Sequence, residues 1–509
     1  MRVVHISTHD LTGGAARSAW CLHRGLLGIG VESCMLVRSK LSDDPAVTGA
    51  NDAACAILHE QALTPYILRR LPSGSPWFTS GVIDVDISSH PSVQSADVLH
   101  LHWVAEWLSA GVIKKLVSLG KPIIWSLHDL WPVTCGNHYP GTNDPRDESW
   151  QTGESLPEPL IEIGRSEFQR KRSLLADQQI HVVAPSRWIG RMSQRSIIGS
   201  KWPVKIVPYG IETRVFCPSD QGEARAHWNL PTDKVLLLFG CSGINEFRKG
   251  FHVLTDALRA AAPDPDKVAL VVFGEGNPDL SGIPVAVHHV GRIDSESAMA
   301  SLYASADAYL CPTLEDNLPN TVIESLACGT PVIGFITGGV PDLVADGKNG
   351  LLTPCGDVPA LAACLKRFNT DATMRHRLQA AARSADKSVF AIQTQARRCL
   401  ELYLELTGCG DTATMKPSSV SAELQGWNAA MDFVPGESPW ILLAVAEALQ
   451  VASQREELLR NCQHKAKSGL GIPTHEAARR KSKLGTTTEA FETVRGKSWR
   501  AWLRRIIGI

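Results

Sequence analysis

Apolar residues along this chain recur in two registers. Short β-branched runs, "RVVHIS" at the start and then "ADVLHLHWV" and "KPIIWSLHDL", alternate with segments whose apolar residues lie three and four apart, as in Ala19, Leu22, Leu26 and Ile29 or in "AEWLSAGVIKKLVSLG". The first register predicts buried strands and the second helices; strand, helix, strand implies parallel pairing. After "VKIVPYGIETRVFCP", which has the proline and turn character of an interdomain connection, a second series begins. It offers "KVLLLFGCS", "KVALVVFGEG", "VAVHHVGRI", "ADAYLCPT", "TPVIGF" and "GLLTP" as strands, with "HVLTDALRAAA" and "AMASLYASA" as helices between them. The pattern predicts an α/β chain with two doubly wound, Rossmann-like sheets, over residues 1–200 and 201–407, facing each other so that the carboxyl ends of the strands line a cleft. Beyond residue 407 the periodicity stops. The remainder, 408–509, opens on the linker-like "GCGDTATMKPSSVSAELQG" and ends in "KSWRAWLRRIIGI", readable as a solvated or packed tail or as an amphipathic basic helix for peripheral contact with anionic lipid.

Bulk composition narrows the partners. At 509 residues the chain is longer than one hydrophobic core usually serves, which agrees with two domains and an appendage. With 51 basic and 52 acidic side chains, nothing global favours nucleic acid or a membrane surface. The 13 cysteines are odd in number, none spaced as CxxC, and several sit in apolar runs, as expected of reduced residues in a cytoplasmic protein. "MRVVHISTHDLTGG" is broken by His5 and does not read as a leader; "PWILLAVAEALQVA" is interrupted by Glu447 and does not read as a membrane span.

Candidate chemistry concentrates in "TLEDNLPNTVIESLACGTPV", Thr313 to Val332. Pro319 suits a helix entrance, so a helix is expected from Asn320 or Thr321, carrying Glu324 in its first turn and turning its free N–H groups and positive dipole end to the cleft. That is a backbone anion site suited to a diphosphate. Glu324 offers two oxygens to a ribose diol, or simply complements the helix dipole, while Asp316, earlier on the loop, meets hydroxyls beyond the phosphates. Arg248 and Lys249, just before Gly250 in "NEFRKGFHVLTDAL", are placed to neutralise a pyrophosphate without a metal. Across the cleft, "LTGGAARS" contributes Gly13 and Gly14, where a ligand can approach backbone closely, and Arg17 in the following helix. His100 and His102 share one face of a strand and His128 ends another; a zinc set is the weaker reading, a polar contact from His128 in the cleft the stronger.

Taken together, "TGGA", "SLHD", "VPYGIETRVF", "RKG", "VFGEG", "VGRI" and above all "EDNLPNTVIESLACGTPVIGFITGGVPDLVADGKNGLL" resemble the family 4 retaining glycosyltransferases of the two-domain GT-B fold, over residues 1 to 407. The resemblance implies transfer of a sugar from a nucleotide diphosphate sugar, with retention of configuration, no metal and no other cofactor. It assigns the ribose to Glu324, the donor sugar to Asp316 with Asn317 and Leu318 beside it, and the diphosphate to Lys249. It places the Gly13–Gly14 loop at the phosphates or acceptor, His128 beside the donor sugar, and Arg17 and His102 on the acceptor side. Three features depart from the family pattern. Asp316 stands in place of Glu, Pro319 in place of glycine, and "FGCSG" lacks the usual cation, a place that Arg248 either takes or leaves empty. The "DNLPNT" form is similar to enzymes building bacterial exopolysaccharide, including colanic-acid-type repeats, and implies a saccharide or lipid-linked saccharide acceptor. The alternative is a non-catalytic protein that binds sugar nucleotides on the same fold.

Overall fold

A computed structural model describes residues 1–50, 53–72, 74–75, 77–141, 148–158, 160–408, 430–433, 440–441, 443–448 and 450–451. Residues 1–52 and 67–434 form one compact unit, and residues 53–66 with 435–509 a second. In the second unit, Trp440 is buried and packs against Tyr66 with ring centroids 5.7 Å apart. The linker and the terminal "KSWRAWLRRIIGI" lie outside the described residues.

The first unit holds two parallel sheets. Strands β1 (Arg2–His9), β2 (Glu32–Ser39) and β3 (Val47–Gly49) form one flank of the first sheet, and β5 (Val98–Leu101), β6 (Ile123–Ser126), β7 (Ile180–Ala184) and β8 (Val204–Ile206) the other, in the order β3-β2-β1-β5-β6-β7-β8. The intervening β4 (Ile83–Asp86) stays out of that sheet and pairs antiparallel with β15 (Ala430–Phe433). The second sheet runs β11-β10-β9-β12-β13-β14, from β9 (Val235–Gly243), β10 (Val268–Glu275), β11 (Ala286–Gly291), β12 (Ala308–Cys311), β13 (Val332–Ile336) and β14 (Gly350–Pro354). Chain order reverses between β1 and β5 and again between β9 and β12, and at such switch points a crevice opens at the carboxyl ends of the strands.

Period-two alternation explains why the second sheet is buried on both faces. Leu236 and Leu238 join the apolar cluster on one side with Tyr303 and Ile323, while Leu237 and Phe239 join the cluster on the other with Leu254 and Leu365. The helices that matter for the site are α1 (Gly13–Gly28), α2 (Leu160–Leu175), α3 (Phe251–Ala261), α4 (Asn320–Ala327) and α5 (Ile392–Thr407).

Two expected boundaries shift. The connection after residue 200 first contributes Val204–Ile206 as the edge strand of the first sheet, paired with β7. Helix α5, counted above with the second domain, packs instead on the first. Its Ala396, Cys399, Leu402 and Tyr403, at helical spacing, share a core with Val3, Leu22 and Val98, and the Tyr403 hydroxyl bonds His100 Nδ1 at 2.6 Å. The chain thus crosses back to the first sheet at its end. A backbone pairing of Ile211 with Phe390 and Ile392 closes the crossing.

Candidate active site at the strand ends

The site begins with two loops that fix each other. Gly250, at φ +74°, lies so close to the Pro312 carbonyl that a Cβ would collide with it, and the Arg248 carbonyl accepts from Leu314 N and Thr313 Oγ1 at 2.7 and 3.0 Å. This stitching puts the cations of the first loop against the acid of the second. Lys249 Nζ donates to Asp316 Oδ2 at 2.6 Å, and Arg248 Nη1 reaches the same oxygen at 3.3 Å. Burial opposes the Asp316 charge, but Lys249 and Arg248 outweigh it and hold the carboxyl below its ordinary range. Arg248 also bonds Glu246 and the Glu315 carbonyl, and its guanidinium lies 4.7 Å over the Tyr139 ring. Lys249, Asp316, Pro319, Thr321, Gly240 and Tyr309 line part of one open pocket.

Helix α4 starts at Asn320, where the proline predicts it. Pro319 is the N-cap; its carbonyl accepts from Val322 N and Ile323 N, and with no side-chain cap the Asn320 and Thr321 amides are the ones left to an anion. Glu324 is buried on this helix and accepts from the Tyr303 hydroxyl at 2.9 Å; burial raises its pKa. No local signal marks Tyr303, which lies on another helix and becomes a neighbour only through packing.

The two sheets meet at this loop. Asn320 Nδ2 donates to the Gly14 carbonyl at 3.3 Å and contacts Ser18 Oγ at 3.2 Å, while Gly13, at φ +85°, has nothing within 4 Å of where a Cβ would stand, leaving its backbone open. Asn317 is committed: its Oδ1 accepts from Ser186 Oγ at 2.7 Å and its Nδ2 donates to the Leu127 and His128 carbonyls. It ties the two halves together and offers no free side-chain group to a donor. Leu318 likewise turns its side chain into the second-domain core, so only its backbone can meet a ligand. Arg17, expected on the acceptor side, instead faces Glu296 of the second half at 3.9 Å and lies near enough to Glu324 to favour its ionised form.

The histidines form a string. His5 Nδ1 meets His102 Nε2 at 2.9 Å, His102 Nδ1 meets His128 Nε2 at 3.1 Å, and His128 Nδ1 meets the Tyr209 hydroxyl at 2.7 Å. Burial lowers all three, His128 to about 4, so each ring is neutral with one donor and one acceptor and the protons run in one direction along the string. One nitrogen each from His5, His100 and His102 lies within 4.8 Å of the others, but of the nitrogens in that trio only His5 Nε2 lacks a hydrogen-bond partner. Hence His102 has no free ring nitrogen for an acceptor, and His128 has none for a donor sugar: its ring is spent on His102 and Tyr209 and its carbonyl on Asn317 Nδ2. Burial of His100 on β5 and of His102 just past its end, between β1 and β6, is the cause.

Behind the string, Asp129 organises the loop that carries Tyr139. Its carboxylate accepts from Trp131 N, Trp103 Nε1 and His138 Nδ1 at 3.0, 2.9 and 2.6 Å, and although burial opposes the charge these donors hold its pKa below the ordinary value. Lys171 of α2, itself buried, donates to the Trp131 and Thr134 carbonyls of the same loop.

Comparison with known proteins agrees with this architecture. Residues 12–215 match the model described as Glycosyltransferase Family 4, and residues 234–371 the model described as Glycosyl transferases group 1. The D-inositol 3-phosphate glycosyltransferase of Xylanimonas cellulosilytica is 28% identical over 413 residues, covering 76% of this chain and 90% of the relative. That of Stackebrandtia nassauensis is 27% identical over 337 residues, covering 61% and 68%. Among solved structures, a sucrose-phosphate synthase from Thermosynechococcus elongatus superposes with a TM-score of 0.52 at 18% identity, covering 80% of this chain and all of that one. Anabaena HepE in complex with UDP-glucose gives 0.54 at 15% identity with the same coverage. The curated relatives carry an inositol phosphate name, not the colanic-acid type that "DNLPNT" suggested. With glycosyltransferase models matched in turn on both sides of the cleft, that of family 4 on the first, the chain is a glycosyltransferase of the GT-B fold.

Proposed function

We propose that this glycosyltransferase moves a hexose from a nucleotide diphosphate sugar to an acceptor hydroxyl with retention of configuration. The observation that carries the reading is the convergence of Lys249, Arg248 and Asp316 beside the uncapped start of α4. In the free enzyme Asp316 neutralises the two cations; with donor bound, the diphosphate takes the Lys249 ammonium and the α4 amides, and Asp316 turns to sugar hydroxyls. Glu324 receives the ribose diol, and the open backbone at Gly13 receives phosphate oxygen. The bond from the anomeric carbon to the phosphate oxygen breaks as the acceptor oxygen bonds to the same face. The acceptor proton passes to the departing phosphate, so charge develops where Lys249 and the amides already point. This reading asks for no metal, because those groups supply the countercharge. It places the chain in the cytoplasm, where nucleotide sugars are made, and leaves the basic tail as the candidate contact with the inner membrane surface.

Two acceptor classes compete: a saccharide, free or lipid-linked in exopolysaccharide assembly, and the D-inositol 3-phosphate for which the relatives are named. The test of the activity itself is product formation from a panel of nucleotide sugars. Lys249→Ala is expected to lower kcat by about 100-fold or more with the thermal midpoint little changed. Equal turnover by that variant, or a wild-type chain that binds donor and never transfers or hydrolyses it, favours the non-catalytic binding protein instead.

A further inference from the structure

Beside the donor pocket, the wall contributed by the first sheet carries aromatic surface that donor chemistry leaves unused. Trp77, 41% exposed, stacks on His138 at 4.6 Å and lies 5.6 Å from Trp103; Trp103 in turn stacks with His138 at 5.8 Å and with His9 at 6.2 Å. These rings arrive from separate segments: the end of β1, the turn after β5, the loop after β6 and the segment before Phe78. His138 is buried, His9 and Trp103 are partly buried, and Trp77 is the exposed member of the four. Their polar edges are fixed in advance. Trp103 Nε1 and His138 Nδ1 share Asp129, His138 Nε2 bonds Thr79 Oγ1, and His138 N donates to the Trp77 carbonyl.

The stack adjoins the crevice. Tyr139, next in sequence to His138, lies under Arg248, and a Cβ on Gly74, three residues before Trp77, would stand 3.3 Å from the Phe247 ring of the second half. Charge does not suit a phosphate here: Arg38 is buried and donates to the Glu106 carbonyl, Arg248 is held by Asp316 and Glu246, and burial together with Arg38 keeps His9 neutral, at about 4. What the surface offers is a rigid aromatic face with a neutral imidazole at one end. That combination matches the C–H face and rim hydroxyls of a sugar ring.

We propose that the Trp77, Trp103 and His9 surface is the acceptor subsite and that it takes an uncharged pyranose ring. The proposal rests on the transferase reading above and deepens it by naming the acceptor class. Because the rings are locked before the ligand arrives, little ordering cost attends binding, and affinity follows the aromatic face.

The test uses the full chain and saturation-transfer NMR, with and without saturating nucleotide. Probes are methyl α-D-glucopyranoside, methyl α-D-mannopyranoside, methyl β-D-galactopyranoside and D-inositol 3-phosphate; UDP, GDP and ADP are titrated separately. At least one pyranoside is expected to bind, about tenfold more weakly in Trp77→Ala and nearly unchanged in Trp77→Phe, with nucleotide affinity the same in all three chains. No pyranoside binding, equal binding by Trp77→Ala, or D-inositol 3-phosphate displacing every pyranoside overturns the assignment. Failure of all three nucleotides to bind overturns the transferase reading instead, and the nucleotide-free titrations still decide the subsite.

Discussion

Two acids of one sequence motif have opposite electrostatics, because of what each faces. Asp316 is held ionised by Lys249 and Arg248, whereas Glu324, with Tyr303 as its hydrogen-bond donor, is pushed toward its neutral form by burial. A raised carboxyl pKa means the folded state holds more protons than the unfolded chain once pH exceeds the unfolded value, so ionising Glu324 costs stability as pH rises through that window. Glu324→Gln is therefore expected to raise the thermal midpoint at pH 7 by a few degrees while weakening nucleotide binding about tenfold or more. Thermal melts with and without UDP or GDP read both effects. A variant that melts lower in the absence of ligand, or binds nucleotide as well as wild type, contradicts this placement of Glu324.

At the scale of elements, the loop from Thr313 to Pro319 holds the site because the ends of both sheets fasten to it. Asn317 is its main cross-tie. Asn317→Ala removes three side-chain hydrogen bonds, leaving the buried Ser186 hydroxyl and the Leu127 and His128 carbonyls without that partner, which is expected to cost about 1–3 kcal/mol. It should also raise the KM for donor, because α4 then starts from a looser loop. Denaturant unfolding and donor kinetics measure the two, and an unchanged midpoint would sink the claim. The strands and the helix start were legible in sequence because apolar runs and a proline are local signals: the six runs after the connection correspond to β9 to β14, and α4 begins at Asn320. What stayed hidden was pairing across distance. Nothing local in "DNLPNT" tells that Asn317 bonds a carbonyl 190 residues earlier, that His128 is spent on His102 and Tyr209, or that α5 returns to cover β1.

For the whole molecule, the consequence of a histidine-filled first sheet is acid sensitivity. His5, His100, His102 and His128 are buried among one another, and burial lowers each of them, His100 to about 3 and His128 to about 4. The unfolded chain binds protons at these positions below about pH 6.5 and the folded chain does not, so folding stability is complete above that pH and drains as pH falls toward the folded values. Each such histidine contributes roughly 1 kcal/mol of loss per pH unit in that interval, and with several acting together the thermal midpoint should drop steeply between pH 6.5 and 5, before most carboxylates titrate. Asp316 and Asp129, with lowered pKa values, add their losses only at lower pH, which separates the two contributions in a pH series. Replacing His100 by Gln keeps a partner for Ser126 or Tyr403 and removes one titrating site, so its melting curve should fall less steeply over the same interval even if its midpoint at pH 7.5 is lower. A wild-type midpoint that is flat from pH 7.5 to 5 would mean that these rings take up protons without unfolding, and the neutral string running from His5 to Tyr209 would have to be abandoned.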